Sequence, residues 1–228
     1  MDPYMRLFGP VHLAILAAIP ALGAALAWLA RRSPSTARPA RLSFATALVA
    51  NELAWYGYRL YHEGFRFPEA LPLQLCDLTL WLAIAAAFTL RPWTFDLAYH
   101  WALGGTTMAL LTPDLWEAFP SYPTVYFFLA HGGVVALVLF LVWGRVTRPR
   151  PGSFWRAFFV LNIYASAIGA FNLMFHTNYL YLCEKPESAS LLTWFGPWPW
   201  YILPAEVVGL ALFALLGLPF RRRRSAVD

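Results

Sequence analysis

Few residues in this chain could do covalent chemistry, and the most conspicuous stand at the head of an apolar run, Leu71-Pro72-Leu73-Gln74-Leu75-Cys76-Asp77. A thiol and a carboxylate sit there side by side, where a membrane helix normally carries neither. A charged group inside a bilayer costs at least ~2.5 kcal/mol unless it is paired or meets water, which makes such positions functional candidates. A buried thiol by itself is a small apolar filler and inert. It becomes a nucleophile when a base within hydrogen-bond reach takes its proton. The histidine best placed to do so is His131, in Ala130-His131-Gly132-Gly133, whose glycines let a neighbouring helix come close. Together Cys76 and His131 would suit acyl transfer through a thioester. The bland alternatives are a packed sulfur and an interhelical hydrogen bond.

Other polar residues recur at helical spacing. Glu52, Tyr56 and Arg59 follow i, i+4, i+7 and form one stripe, and Asn172, His176 and Tyr179 repeat the pattern. Glu206 has no partner on its own segment. Asp77, Glu52, Arg59, Asn172, His176 and Glu206 are therefore candidates to bind substrate or orient the base, with buried ion pairs holding a bundle as the structural alternative. Gln74 and Cys76 differ by two positions and point to nearly opposite faces of a helix. Gln74 is thus expected to serve the helix start or a loop. No histidine pair stands at i+3 or i+4, so neither a metal site nor any other cofactor is expected. The two cysteines, Cys76 and Cys183, are too few for a disulfide scaffold, although one bridge between them would be a purely structural use.

These residues need a frame, and composition supplies its class. The 228 residues are 60% hydrophobic and 13% charged, with 18 Phe, 11 Trp and 11 Tyr, and the mean hydropathy is +0.53. Soluble domains carry roughly 25% charged residues. The expectation is an all-α polytopic membrane helix bundle forming a single domain. A span of ~30 Å of hydrocarbon takes about 20 apolar residues. Seven runs fit: roughly 10–30, 42–62, 71–90, 95–112, 122–144, 155–176 and 198–219. Pro72 would open the third in the first-turn position that proline tolerates, with Cys76 and Asp77 about one turn inside. The fourth, with His100, Gly104 and Gly105, is short enough to tilt, break or cross partly. A signal peptide is disfavoured for the first run, which has Asp2 and Arg6 before it and Arg31–Arg32 after it, although Ala25-Leu26-Ala27 would serve as a cleavage site.

The net charge of +5 lies in short arginine blocks between runs rather than in one patch, so nucleic acid is not an expected partner. With seven spans, Arg31, Arg32, Arg38, Arg41, Arg91, Arg145, Arg148, Arg150, Arg156 and Arg221–Arg224 all fall on one side. Glu63, Glu69, Asp114, Glu117, Glu184 and Glu187 fall on the other, with Arg6, Arg66 and Lys185. The positive-inside rule puts the N-terminus outside and the C-terminus in the cytoplasm. The Arg221–Arg224 tail reads as an anchor at anionic headgroups. In this orientation the ionisable residues of five spans gather in the outer half of the membrane, which predicts a shared polar cavity. His12 would sit at the outer interface, and His100 lies nearer the cytoplasm. Asn162, Ala165, Ser166 and Gly169 form a small-residue packing seam. Ser190–Tyr201, with three Trp and two Pro, reads as an interfacial aromatic belt, or as a lip over the cavity.

The combination of Leu71-Pro72-Leu73-Gln74-Leu75-Cys76, Ala130-His131-Gly132, Asn178-Tyr179-Leu180-Tyr181-Leu182 with Lys185-Pro186, and Gly196-Pro197-Trp198-Pro199-Trp200-Tyr201 resembles the bacterial YwaF-like integral membrane proteins, related to the animal transmembrane protein 164 family. The resemblance runs over nearly the whole chain. It implies an acyltransferase that moves a fatty acyl chain between phospholipids with a cysteine–histidine pair, in a fold likened to the androgen-induced intramembrane lipid hydrolases. It carries the two roles onto Cys76 and His131 alone. Gln74 departs from the histidine common at that position in the family. The resulting expectation is an intramembrane lipid acyltransferase or acyl hydrolase in the bacterial plasma membrane, with membrane lipids as partners and a phospholipid or lysolipid as substrate. The alternative is a transporter or lipid-binding protein whose cavity uses Glu52, Arg59, Asp77 and Glu206 without covalent chemistry.

Overall fold

The computed structural model describes residues 5–115, 117–186 and 190–221. Asp2, Glu187 and Arg222–Arg224 of the basic tail lie outside the described residues. Within them the chain is helical, with no strand: α1 (Pro10–Arg32), α2 (Pro34–His62), α3 (Leu75–Thr89), α4 (Pro92–Trp101), a π-helical turn (Ala102–Thr106), α5 (Thr107–Leu111), α6 (Tyr122–Trp143), α7 (Ser153–Phe175) and α8 (Ile202–Gly217). Short 3₁₀ turns cover Tyr179–Tyr181, Leu191–Phe195 and Leu218–Phe220. Among the described residues, four segments are long and apolar enough to cross a membrane: Pro10–Arg32, Tyr122–Trp143, Ser153–Phe175 and Ile202–Phe220. The helix Leu75–Thr89 is apolar but shorter. The chain is an integral membrane protein.

The bundle is built on α6. Its sequence YPTVYFFLAHGGVVALVLFLVW is apolar on every face, the composition of a helix surrounded by others. Helices α1, α2, α3, α5 and the π turn pack around it, while α7 and α8 pair with each other beside α4 and the π turn. Closest approach is set by glycine. A Cβ on Gly23 of α1 would stand 3.0 Å from the Ala136 carbonyl oxygen of α6, so here helix backbones nearly touch. Gly132 and Gly133 of α6 instead receive side chains, Ile19 and Leu48, whose carbons would lie 2.9 and 2.6 Å from an added Cβ.

Three boundaries differ from the sequence expectation. Helix α2 starts at Pro34 rather than near 42, so Arg38 and Arg41 are helical and only Ser33 separates α1 from α2. Arg41, buried, donates to the Ala87 carbonyl at the end of α3, and Arg31 donates to the Trp143 carbonyl that ends α6. Cations are favoured at helix C-termini, where carbonyls lack partners. Helix α3 starts at Leu75 rather than at Pro72, because Gln74 and Asp77 form a capping box there. The fourth run breaks into α4, the π turn and α5. Helix α8 starts at Ile202, and the preceding Pro197–Tyr201 stays outside it.

Candidate functional site

The non-helical stretch before α3 leaves backbone carbonyls that need donors, and tyrosines from the far end of the chain supply them. Tyr179 Oη donates to the carbonyls of Pro68 (2.8 Å) and Leu71 (2.9 Å), and Tyr164 Oη donates to Leu73 (2.9 Å). Gln74 Oε1 accepts the Leu180 N–H at 3.0 Å, and Asp77 Oδ2 accepts the Gln74 N–H at 3.0 Å. Cys76 is thereby fixed as the second residue of α3, inside its first turn. Its Sγ lies 4.0 Å from Asp77 Oδ1.

Cys76 helps to line a small, partly open hollow shared by three elements. Cys76, Asp77 and Leu80 come from α3, Thr106 from the π turn, and Tyr126, Ala130, His131 and Val134 from α6. Its volume, about 10 Å³, is the room one water-sized group takes. His131 stacks on Phe127, with ring centroids 4.1 Å apart, and its Nδ1 lies 2.9 Å from the Phe127 carbonyl oxygen. A carbonyl only accepts, so Nδ1 carries the proton and Nε2 carries the lone pair. Among the described residues no hydrogen bond joins Cys76 to His131; they meet as lining residues of one hollow.

Tyr126 connects the hollow to a buried carboxyl. Its Oη donates to Glu52 Oε2 at 2.7 Å, Glu52 is 1% exposed, and Glu52 Oε1 has no partner among the described residues. Tyr126 also stacks on Trp55 with centroids 4.2 Å apart.

The other expected site residues are not brought together here. Arg59 pairs with Glu63 at 3.0 Å rather than with Glu52, because i+4 on the same helix face is nearer than a buried position two turns back. Glu206 accepts from Asn162 Nδ2 at 3.0 Å, so that pair ties α7 to α8; Asn162 is more than packing. Asn172 closes the end of α7: its Oδ1 accepts from Thr177 Oγ1 and the Tyr179 N–H, and its Nδ2 donates to the Tyr179 carbonyl. His176 lines another cavity, of about 330 Å³, with Glu69, Gln74, Thr177, Asn178 and Tyr179. The hollow beside Cys76 thus gathers only part of the set expected to share one cavity, with Glu52 reaching it through Tyr126 and His176 lining a different space. Both cysteines are free thiols, so the Cys76–Cys183 bridge is not formed. His12 is fully buried, not interfacial. Its Nδ1 accepts the Phe8 N–H and its Nε2 donates to the Leu110 carbonyl.

Sequence reasoning missed Tyr126 and Thr106. A tyrosine near a helix start reads as part of an interfacial belt, and the only trace of Thr106 was the small-residue run Gly104-Gly105 before it. It also missed Asp96. That carboxylate is fully buried in α4 and receives the backbone N–H and Nε of Arg150 (2.9 and 2.8 Å) and the guanidinium of Arg156 (3.0 Å). One turn on, His100 Nε2 lies 2.9 Å from Ser153 Oγ. At the opposite end Tyr181 donates to Asp114 Oδ2 at 2.9 Å; burial, then the Asp114 charge, pushes its hydroxyl above its ordinary value of 10.0. Among the described residues no three His, Cys, Asp or Glu side chains converge to hold a metal ion.

The family model of the TMEM164 family matches residues 7–217. The chain belongs to the TMEM164 family. The match takes in the capped start of α3, the whole of α6 and the segment between α7 and α8, so every element that lines the inner hollow lies within the family's shared region. No curated protein and no solved structure matches the chain.

Proposed function

We propose that this TMEM164-family protein is an intramembrane acyl-transfer enzyme acting on phospholipid or another acyl lipid, with Cys76 as nucleophile and His131 as base. One observation carries the reading: the thiol and an imidazole whose Nδ1–H is committed to Phe127 line the same hollow, which leaves Nε2 free to accept a proton. In the first step the Cys76 proton passes to His131 Nε2 and the sulfur bonds the ester carbon. The ester C–O bond then breaks, and the departing alcohol takes the proton from Nε2. In the second step Nε2 takes a proton from a lysolipid hydroxyl or from water, whose oxygen attacks the thioester carbon; the C–S bond breaks and the sulfur takes the proton back from Nε2. The acceptor decides between transferase and hydrolase.

The same reading places seven helical crossings in a bacterial plasma membrane with the N-terminus outside. Helix α3 has 15 residues, about 22 Å at 1.5 Å per residue and short of a ~30 Å core. Ending two residues before Arg91, it would begin beneath the outer surface, where the tyrosine hydroxyls satisfy its approach as backbone at membrane depth requires. The test is transfer of a fluorescent acyl chain from labelled phosphatidylcholine to a lysophospholipid in proteoliposomes. Cys76→Ala is expected to abolish it; undiminished turnover in that variant ends the nucleophile assignment.

A second reading, transport without covalent chemistry, is favoured by the buried Glu52 with its unpartnered Oε1, the kind of carboxyl that couples to protons inside membranes. It predicts solute uptake driven by a pH gradient and lost in Glu52→Gln, with Cys76→Ala unaffected.

A further inference from the structure

We infer that Thr106 donates the hydrogen bond that holds the ester carbonyl oxygen as it becomes an oxyanion, and that the π-helical turn is what presents it. The inference rests on the acyl-transfer reading and adds the electrophilic half of the site.

A threonine inside a helix ordinarily donates to a carbonyl one turn back, which hides its hydroxyl. Thr79 does so to Leu75 (2.6 Å) and Thr89 to Ala85 (2.7 Å). For Thr106 the acceptor four residues back is the Ala102 carbonyl. In the π register that oxygen is taken by Thr107, through both its backbone N–H and its Oγ1 at 3.2 Å. Thr106 is 5% exposed, lines the hollow with Cys76, and its hydroxyl has no hydrogen-bond partner among the described residues. A one-residue slip in helix register thus takes the usual acceptor from a hydroxyl whose residue lines the same hollow as Cys76, and π bulges recur at functional sites for this kind of reason.

The other lining side chains do not fill the role. Tyr126 Oη donates to Glu52, and the Nδ1–H of His131 donates to Phe127. Asp77 only accepts when ionised, with Oδ2 on the Gln74 N–H and Oδ1 on the sulfur side, while Leu80, Ala130 and Val134 have no donor. The hollow of about 10 Å³ accommodates one oxygen and not an acyl chain, which is the size an oxyanion pocket needs. As the Cys76 sulfur bonds the ester carbon, the carbonyl π pair moves onto this oxygen and Thr106 Oγ1–H donates to it. When the pair returns, the C–O bond to the alcohol breaks and the alcohol takes the proton on His131 Nε2.

The test uses a long-chain alkyl trifluoromethyl ketone, which forms a reversible hemithioketal oxyanion with a thiol, followed by ¹⁹F NMR on the full-length protein in detergent. Thr106→Val is expected to weaken the adduct at least about tenfold and to lower kcat of phosphatidylcholine acyl transfer about 10²-fold with KM little changed. Thr106→Ser is expected to stay within a few-fold of wild type in both. Iodoacetamide alkylation of Cys76 passes through no oxyanion and keeps its rate in Thr106→Val, which separates lost stabilisation from a collapsed site. Wild-type adduct strength in Thr106→Val, a Thr106→Ser as weak as Thr106→Val, or a changed alkylation rate overturns the inference. No adduct in the wild type, or one that survives in Cys76→Ala, sinks the acyl-transfer reading itself.

Discussion

The hydrogen bond from His131 Nδ1 to its own helix at Phe127 fixes the tautomer, and the ring's stacking on Phe127 fixes its plane. In the proposed acyl transfer, a base that is already oriented loses little freedom when substrate arrives, so the Cys–His pair would need no third residue to hold the imidazole. His131→Gln keeps a polar side chain of similar reach but no base. Acyl transfer is expected to fall about 10²- to 10⁴-fold with the melting temperature nearly unchanged, measured on the same detergent preparation. Glu52 and Tyr126 behave differently, because each is the other's partner in a buried setting. Tyr126→Phe strips Glu52 Oε2 of the Tyr126 hydroxyl, and is expected to cost about 1–3 kcal/mol. The double variant Tyr126→Phe with Glu52→Leu should recover part of that loss, since removing both partners avoids leaving one unpaired. Additive losses in chemical denaturation would show that the pair is not coupled.

At the scale of elements, close packing and satisfied helix ends decide what the sequence could reveal. Cys76 and His131 stood out in the sequence because reactive groups are rare in apolar runs, and what the structure adds is that both line one hollow; α6 was legible because a helix apolar all round belongs in the middle. The start of α3 was not: Pro72 suits a first turn, yet the carbonyls of Pro68, Leu71 and Leu73 find donors 91 to 111 residues away, a pairing no local pattern encodes. The Glu52–Arg59 stripe failed because helical spacing gives a face and not a partner, and Thr106 was hidden because a register slip leaves no periodicity of its own. Glycines can be sorted in the same way. Gly23→Leu would drive a side chain into the backbone of α6 and is expected to destabilise by about 1–3 kcal/mol or more, whereas Gly57→Leu, with open space around it, should be nearly neutral; thermal melts of the two separate these outcomes. The Tyr181–Asp114 bond carries a pH signature. A phenol held above its ordinary value in the folded state contributes stability that is whole below pH 10.0 and is lost as pH rises through the folded value. The melting-temperature advantage of wild type over Tyr181→Phe should therefore be constant from pH 7 to 9 and shrink above 10; an advantage that grows there contradicts the assignment.

For the whole molecule the question is which side the hollow serves, and charge placement argues it. Arg31 and Arg41 sit at the C-termini of α6 and α3, and Arg150 and Arg156 close on Asp96 near the start of α7, so arginines that look like topology signals also stitch one end of the bundle. In the proposed topology the reverse orientation would leave these guanidiniums, two on helix-end carbonyls and two on Asp96, on the translocated side, and dropping any one crossing between Arg41 and Arg150 would part the first pair from the second. The tyrosine-capped approach to α3 and the cavity beside His176 lie at the other end, with Asp114 and Glu184. The orientation is therefore testable with single cysteines in a Cys76→Ser, Cys183→Ser background, at Arg148 and Glu184, both exposed. Arg148→Cys should react with a membrane-impermeant maleimide only after the cells are permeabilised, and Glu184→Cys in intact cells. Reaction of both from one side would mean an even number of crossings between them, and α7 would no longer span. Reaction in the reverse sense would put the Cys76 hollow beneath the cytoplasmic leaflet, and the lipids it could reach would be those of the inner face.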